Sequence, residues 1–80
     1  NGSIIIGRAS ICDIYFDDVS MSRQHFALEV EKGEMYLTDL ESTGGTTVNG
    51  VKVQPGSQGR IIVQNGSDIT AGRVTFTVRW

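Results

Sequence analysis

Residues 46–53 read Thr-Thr-Val-Asn-Gly-Val-Lys-Val, and this stretch decides the fold class. Its centre, Asn49-Gly50, supplies two residue types that readily adopt the positive φ angles of a type I′ turn. The flanking residues, 47–48 and 51–53, are rich in the β-branched side chains that favour strands. The stretch therefore predicts a tight antiparallel hairpin.

Alternating hydrophobic and polar residues continue on both sides of this hairpin. The alternation covers residues 26–31 and again residues 74–80, and it predicts two half-buried strands. Shorter strands are predicted at residues 3–6, 14–16, 35–38 and 60–63, each bounded by turn-forming residues. Ten glycines in 80 residues suit many short strands joined by tight turns. We therefore expect an all-β chain, built as an antiparallel β-sandwich or barrel.

Length and composition limit the classes of function. With 80 residues, of which 39% are hydrophobic and 20% charged, the chain has the composition of one small globular domain. Its net charge of −2, from seven basic and nine acidic residues, argues against a protein that binds nucleic acid through the phosphate backbone. Its longest apolar runs, such as residues 4–6, are far shorter than the ~20 residues of a membrane span, so we expect no direct membrane insertion.

The single cysteine, Cys12, has no partner for an internal disulfide, whereas small secreted domains usually carry several disulfides. We therefore expect a cytoplasmic setting and a buried thiol. Asp13, Asp17 and Asp18 lack the repeated ligand spacing of a calcium loop and are interpreted as solvated loop charge. The sequence predicts no metal site and no cofactor.

Three predicted loops carry residues suited to binding an anion. One begins at Arg8 after the first predicted strand, one spans residues 19–25, and one spans residues 42–46. The planar guanidinium of Arg8 matches the geometry of phosphate oxygens, and Ser22 and Thr43 offer hydroxyl donors. If the loops meet, these residues form one anion-binding site.

The order of these loops resembles the signature of forkhead-associated (FHA) domains. The resemblance rests on Gly7-Arg8, then Ser-Arg-Gln-His at residues 22–25, then Asp-Leu-Glu-Ser-Thr-Gly-Gly-Thr-Thr-Val-Asn-Gly at residues 39–50. It implies an eleven-stranded β-sandwich whose loops at one end bind phosphothreonine in an extended peptide. The chain begins near what would be the third strand, so we expect the sandwich to lack the family's first hairpin. The domain would then span residues 1–80 as one part of a longer parent protein.

The resemblance also implies roles for individual residues. Arg8 would pair with the phosphate, Ser22 would donate its hydroxyl to it, and Thr43 would add a contact beside it. Arg23 would touch the phosphate or the peptide main chain. This chain departs from the family at Gly44, where other members commonly have an asparagine that holds the peptide main chain. Structural support of the binding loops would come from Gly7, His25, Gly45, Asn49 and Gly50, with Asn49 bracing one binding loop against another.

Two functions remain open at this stage. The first is a recognition module that binds phosphothreonine on a partner, or on another segment of its own parent protein, with the added charge of about −1.5 to −2 as the switch. The second is a phosphate-independent scaffold in a larger assembly, such as a bacterial secretion or signalling machine, and Gly44 favours it. The style of the loops resembles bacterial members of the family.

An enzyme is not expected. His25 lies three residues after Ser22, a pairing that could suggest a hydrolase. A serine hydrolase also needs a third group that orients the imidazole, and the sequence offers no evident candidate. We therefore interpret His25 as a structural residue.

Overall fold

The computed structural model describes residues 2–80 and contains two β-sheets. Within that range the chain forms nine strands and one short 3₁₀ helix, and no α-helix. The strands are β1 (Ser3–Gly7), β2 (Ile14–Tyr15), β3 (Phe26–Glu31), β4 (Glu34–Asp39), β5 (Thr46–Val48), β6 (Val51–Lys52), β7 (Ile61–Val63), β8 (Asp68–Ala71) and β9 (Val74–Thr77), and the 3₁₀ helix is Ser57–Gly59.

The two sheets pack face to face as a sandwich. One sheet has the strand order β2-β1-β3-β4-β7 and the other has the order β6-β5-β8-β9. The β1–β2 pair is parallel, and the other strand pairs are antiparallel. The hydrophobic core lies between the sheets and consists of Ile6, Met21, Phe26, Leu37, Val48, Val53, Val63, Ile69 and Ala71. The all-β sandwich expected from the sequence is confirmed.

Two tight turns have positive φ angles at both of their central residues. Asn49 and Gly50, between β5 and β6, have φ angles of 50° and 84°. Lys32 and Gly33, between β3 and β4, have φ angles of 53° and 80°. Positive φ at both central residues is the requirement of a type I′ hairpin. The hairpin predicted at Asn49-Gly50 is therefore confirmed.

The structure differs from the sequence prediction at its last two strands. β8 escapes prediction because only Ile69 and Ala71 are apolar in its four residues, which is too short an alternation to stand out. β9 ends at Thr77 although the alternation continues to residue 80. Beyond Thr77 the chain lies beside the turn that precedes β8, so regular pairing stops, and Trp80 is 61% exposed.

The nine strands found in residues 2–80 are two fewer than the eleven that the resemblance implies. β9 lies at one edge of the four-stranded sheet and β6 at the other.

Four connections meet at one end of the sandwich, and hydrogen bonds between them show this directly. The Arg8 N–H donates to the Ser22 carbonyl at 2.9 Å, which joins the β1–β2 and β2–β3 connections. The Thr43 N–H donates to Ser22 Oγ at 2.9 Å, which adds the β4–β5 connection. The Gly72 N–H donates to the Gly45 carbonyl at 3.4 Å, which adds the β8–β9 turn. The three loops singled out in the sequence are therefore neighbours.

Candidate functional site

A groove opens where these connections meet. We call it the loop groove; its volume is about 630 Å³ and it is lined by Arg8, Val19, Ser20, Met21, Ser22, Arg23, Gln24, Thr43 and Gly44. All five residues to which the sequence assigned peptide contacts line it. Three separate stretches of chain thus contribute to a single concave surface.

Arg8 is held through the Nε of its guanidinium group, and the two terminal nitrogens of that group remain available. Its Nε–H donates to the Met21 carbonyl at 3.1 Å, and Met21 itself is buried. The two terminal guanidinium nitrogens carry further donors that this bond does not use. Within residues 2–80, neither Arg8 nor Arg23 forms an ion pair with a carboxylate. The loop groove therefore holds two positive charges without a counter-charge from the described protein.

Gly7 permits the close approach that places Arg8. A Cβ at this position would overlap the Arg23 carbonyl oxygen and lie 2.9 Å from Gln24 Cα. Because both of these are backbone atoms, they cannot move aside as a flexible side chain can. The absence of a side chain at Gly7 lets the β2–β3 connection lie directly against β1.

The hydroxyl of Ser22 is oriented by the loop opposite. Its Oγ accepts the Thr43 N–H, so its own O–H hydrogen remains free to donate. Ser22 lines the loop groove and is half-buried. The arrangement offers a hydroxyl donor to a ligand in the groove.

His25 joins two of the loops from beneath. Its ring is fully buried, with Nδ1 3.0 Å from the Ser22 nitrogen and Nε2 2.8 Å from the Gly45 carbonyl oxygen. The Ser22 N–H can only donate, so Nδ1 accepts, and Nε2 carries the hydrogen that it donates to Gly45. Both ring nitrogens are therefore engaged by main-chain groups, and this ring does not activate the Ser22 hydroxyl.

A family model for the FHA domain matches residues 4–72, which include all three loops and the whole of strands β2 to β8. The chain belongs to the FHA domain family. The resemblance stated from the sequence is thereby confirmed.

Individual proteins that resemble this chain in sequence or in structure also contain FHA domains. The glycogen accumulation regulator GarA of Mycolicibacterium smegmatis is 34% identical over 67 residues, which are 84% of this chain and 39% of the relative. A solved FHA domain from work on phosphothreonine-dependent FHA domain interactions has a TM-score of 0.88 and 34% identity, covering 100% of this chain and 78% of that one. The FhaA FHA domain, complexed with the intracellular domain of another protein, has a TM-score of 0.86 and 34% identity, covering 99% of this chain and 81% of that one.

The likeness is to part of each curated relative. The chain spans about two fifths of the length of the first curated relatives that it matches. These relatives are bacterial, in agreement with the bacterial style of the loops.

The β4–β5 connection of this FHA domain is shaped by a buried carboxylate that the sequence analysis missed. Asp39 is 2% exposed. Its Oδ1 accepts the Ser42 hydroxyl at 2.6 Å and the Thr46 hydroxyl at 2.7 Å, and its Oδ2 accepts the Ser42 N–H at 3.2 Å. Ser42 Oγ in turn accepts the Gly45 N–H at 3.1 Å. An Asp three residues before a Ser at the end of a predicted strand is the local signal that could have found this network.

Gly44 lies in a confined space between two other loops. A Cβ built here would lie 3.3 Å from the Ser20 carbonyl oxygen and 3.4 Å from Gly72 Cα. Any side chain would require these main chains to shift slightly. The departure from asparagine at this position thus coincides with close packing of the loops in this FHA domain.

Two aspartates interpreted as solvated charge have structural partners instead. Asp13 Oδ2 accepts the Ile5 N–H at 2.8 Å. Asp18 Oδ1 accepts the Ser20 N–H at 2.9 Å and the Ser20 hydroxyl at 2.6 Å, and lies 3.3 Å from Nε of Arg73. The hydrogen bonds from Ser20, and then the Arg73 charge, lower the pKa of Asp18 below its usual value. Asp18 therefore stays ionised and holds the wall of the loop groove against the β8–β9 turn.

Asn49 and Gly50 lie away from the loop groove. The Asn49 side chain accepts the Asp68 N–H at 2.9 Å and donates to Ser67 Oγ at 3.4 Å. These partners lie at the start of β8, whereas the loop groove lies beyond its end. Asn49 thus braces the β5–β6 turn against the start of β8, and these bonds do not join two binding loops as the resemblance implies. The buried thiol expected at Cys12 is present, and its Sγ donates to the Arg23 carbonyl at 3.0 Å.

No helix in residues 2–80 is long and apolar enough to cross a membrane. The same residues contain no cluster of three or more His, Cys, Asp or Glu side chains placed to hold a metal ion.

Proposed function

We propose that this FHA domain binds phosphothreonine-containing peptides in the loop groove. The observation that carries the proposal is the meeting of Arg8, Ser22, Arg23 and Thr43 in one groove where the two arginines have no carboxylate partner within the described residues. A phosphate dianion supplies the missing counter-charge. Arg8 pairs with its oxygens through the two terminal guanidinium nitrogens, and Ser22 donates its hydroxyl to a third oxygen.

The remaining contacts come from the rims of the loop groove. Thr43 is exposed and adds its hydroxyl beside the phosphate. Arg23 is also exposed, and it contacts the phosphate or the peptide main chain. At Gly44 no side-chain amide is present to hydrogen-bond the peptide main chain, so the peptide contacts only the main chain of the protein there. The solved FHA domain from work on phosphothreonine-dependent interactions supports this proposal.

The role that follows is regulated docking and not turnover. A kinase adds the phosphate, and the domain then binds the modified segment on a partner protein or elsewhere in its own parent protein. The engagement of both His25 nitrogens by main-chain groups supports a module without hydrolase activity. The free thiol of Cys12 supports a reducing, cytoplasmic location, and residues 1–80 serve as one domain of a longer protein.

Fluorescence anisotropy with a degenerate phosphothreonine peptide pool tests the proposal. We expect saturable binding of the phosphorylated pool and no measurable binding of its unphosphorylated twin at near-neutral pH. Equal binding of the two pools, or no binding by a protein whose circular dichroism and thermal melt show that it is folded, would sink the proposal.

Ser22→Ala is expected to weaken binding of the phosphorylated pool by about tenfold or more. A hydrogen bond to a charged group contributes about 1.5–3 kcal/mol, and the change also removes the acceptor of the Thr43 N–H. Ser22→Thr keeps the hydroxyl and should retain most of the affinity. Ser57→Ala is the matched control, because Ser57 is exposed and lies outside the loop groove. Unchanged affinity in Ser22→Ala would remove Ser22 from the phosphate site.

A second function is favoured by one observation. Gly44 offers no amide side chain to hold a peptide main chain. A phosphate-independent scaffold within a larger bacterial secretion or signalling assembly needs no such anchor. The comparison of phosphorylated and unphosphorylated peptides separates this function from phosphopeptide binding.

A further inference from the structure

A second groove lies beside the loop groove. We call it the Lys52 groove; its volume is about 330 Å³ and it is lined by Asp39, Ser42, Thr43, Gly44, Gly45, Lys52, Val53, Gln54 and Pro55. Thr43 and Gly44 line both grooves. At Gly44 the ridge between them consists of main chain alone. An extended peptide that leaves the loop groove across Gly44 therefore enters the Lys52 groove.

The charge exposed in this second groove is positive. Lys52 is exposed on β6, an edge strand, and forms no ion pair within residues 2–80. The carboxylate of Asp39 also lines the groove, but it is 2% exposed. Its two oxygens accept three hydrogen bonds from Ser42 and Thr46. The carboxylate is thus turned into the loop, and the ammonium group of Lys52 is the charge that a ligand meets.

The basic residues of the chain are unevenly distributed. Arg60 pairs with Glu29 and Glu31, and Arg73 pairs with Asp18. The other five basic residues form no carboxylate pair within residues 2–80. Three of these five line the two connected grooves, namely Arg8, Arg23 and Lys52. Lys32 and Arg79 line neither groove. The chain has a net charge of −2, yet its two connected grooves carry three unpaired positive charges. A single phosphate in the loop groove would not account for the charge of Lys52.

We propose that the Lys52 groove binds a second anionic side chain of the same peptide, with Lys52 as its charged partner. The ligand is either a carboxylate or a second phosphate, since both offer oxygens to an ammonium donor. This inference rests on the proposed binding of phosphothreonine in the loop groove. It makes Lys52 a specificity-determining residue outside the phosphothreonine contacts.

A peptide walk tests the inference. Each peptide carries one phosphothreonine, and a single Asp is moved through every position on both sides of it in an otherwise neutral sequence. A second series carries phosphoserine in place of the Asp. The proteins are the unaltered chain, Lys52→Gln, Lys52→Glu and the matched control Lys32→Gln, and anisotropy is measured at low and high salt.

We expect one position on one side of the phosphothreonine to improve affinity by about two- to fivefold, the range of an exposed ion pair. The gain should disappear in Lys52→Gln, persist in Lys32→Gln and shrink at high salt. In Lys52→Glu the preference should shift to Lys or Arg at that position. A gain in the Asp series, the phosphoserine series or both supports the inference and identifies the source of the anion.

Two results would overturn it. The first is phosphothreonine binding that is indifferent to acidic residues at every position, which leaves the proposed function standing alone. The second is an acidic preference that survives in Lys52→Gln, which would assign the second anion to another residue. Absence of phosphothreonine binding in all proteins would remove the proposed function and this inference together.

Discussion

Arg8→Ala is expected to lower the affinity for phosphothreonine peptides by at least about thirtyfold while leaving the domain folded. Removing one partner of a close, desolvated charge pair costs about 2–5 kcal/mol or more, and a factor of ten corresponds to about 1.4 kcal/mol. The fold should survive because the structural contact of this side chain is a single bond from Nε to the Met21 carbonyl. The main-chain bond from Arg8 to Ser22 is retained in the alanine variant.

Two further variants make this result specific. Arg8→Lys keeps the charge but loses the planar fork, so its affinity should fall between those of the unaltered chain and Arg8→Ala. Arg79→Ala removes an exposed arginine that lies outside the loop groove and should bind normally. Peptide titration by anisotropy gives the affinities, and thermal melts show whether each protein is folded. An Arg8→Ala protein that binds like the unaltered chain would remove Arg8 from the site.

The order of residues along the chain was sufficient to predict that three candidate residues lie in one groove. Arg8, Ser22 and Thr43 carry side-chain types that suit a phosphate, and each lies in a stretch rich in turn-forming residues. The strands between these stretches have an alternation that is visible without a structure. A sandwich whose connections meet at one end then brings the three residues within reach of one another, as the bond from Thr43 to Ser22 shows.

What holds the site in place was not predictable in the same way. The contact between Gly7 and the Arg23 carbonyl depends on how closely two segments approach, and no spacing rule in the sequence sets that distance. The role of Asp18 depends on Arg73, which is 55 residues away along the chain. Asn49 was expected to brace one binding loop against another, but its side-chain partners are Ser67 and Asp68, because a family motif gives its residue type and not its partners. These are tertiary contacts, and local patterns do not encode them.

The domain is small, so single buried polar networks carry a large share of its stability. Native domains are stable by only about 5–15 kcal/mol, and an 80-residue chain buries relatively little surface. Asp39 supports three donors inside the loop that presents Thr43 and Gly44. The stability of the fold and the shape of the loop groove therefore depend on the same carboxylate.

Asp39→Ala is accordingly expected to lower the free energy of unfolding by about 3 kcal/mol or more. The change leaves the Ser42 N–H and hydroxyl and the buried Thr46 hydroxyl without their acceptor, and each unsatisfied buried group costs about 1–3 kcal/mol. Urea unfolding followed by circular dichroism measures the loss. Peptide affinity should fall as well, because the β4–β5 connection would no longer be held in its present shape.

Asp39→Asn separates the network from simple loss of a side chain. Its amide oxygen can still accept the hydroxyls of Ser42 and Thr46, but its NH₂ group would face the Ser42 N–H, so two donors would oppose each other. We expect an intermediate loss of stability. Asp17→Ala, which removes an exposed carboxylate with no side-chain hydrogen bond within residues 2–80, should change stability little. If Asp39→Ala were as stable as Asp17→Ala, the buried network would not be what holds the β4–β5 connection, and another contact would have to position Thr43 and Gly44.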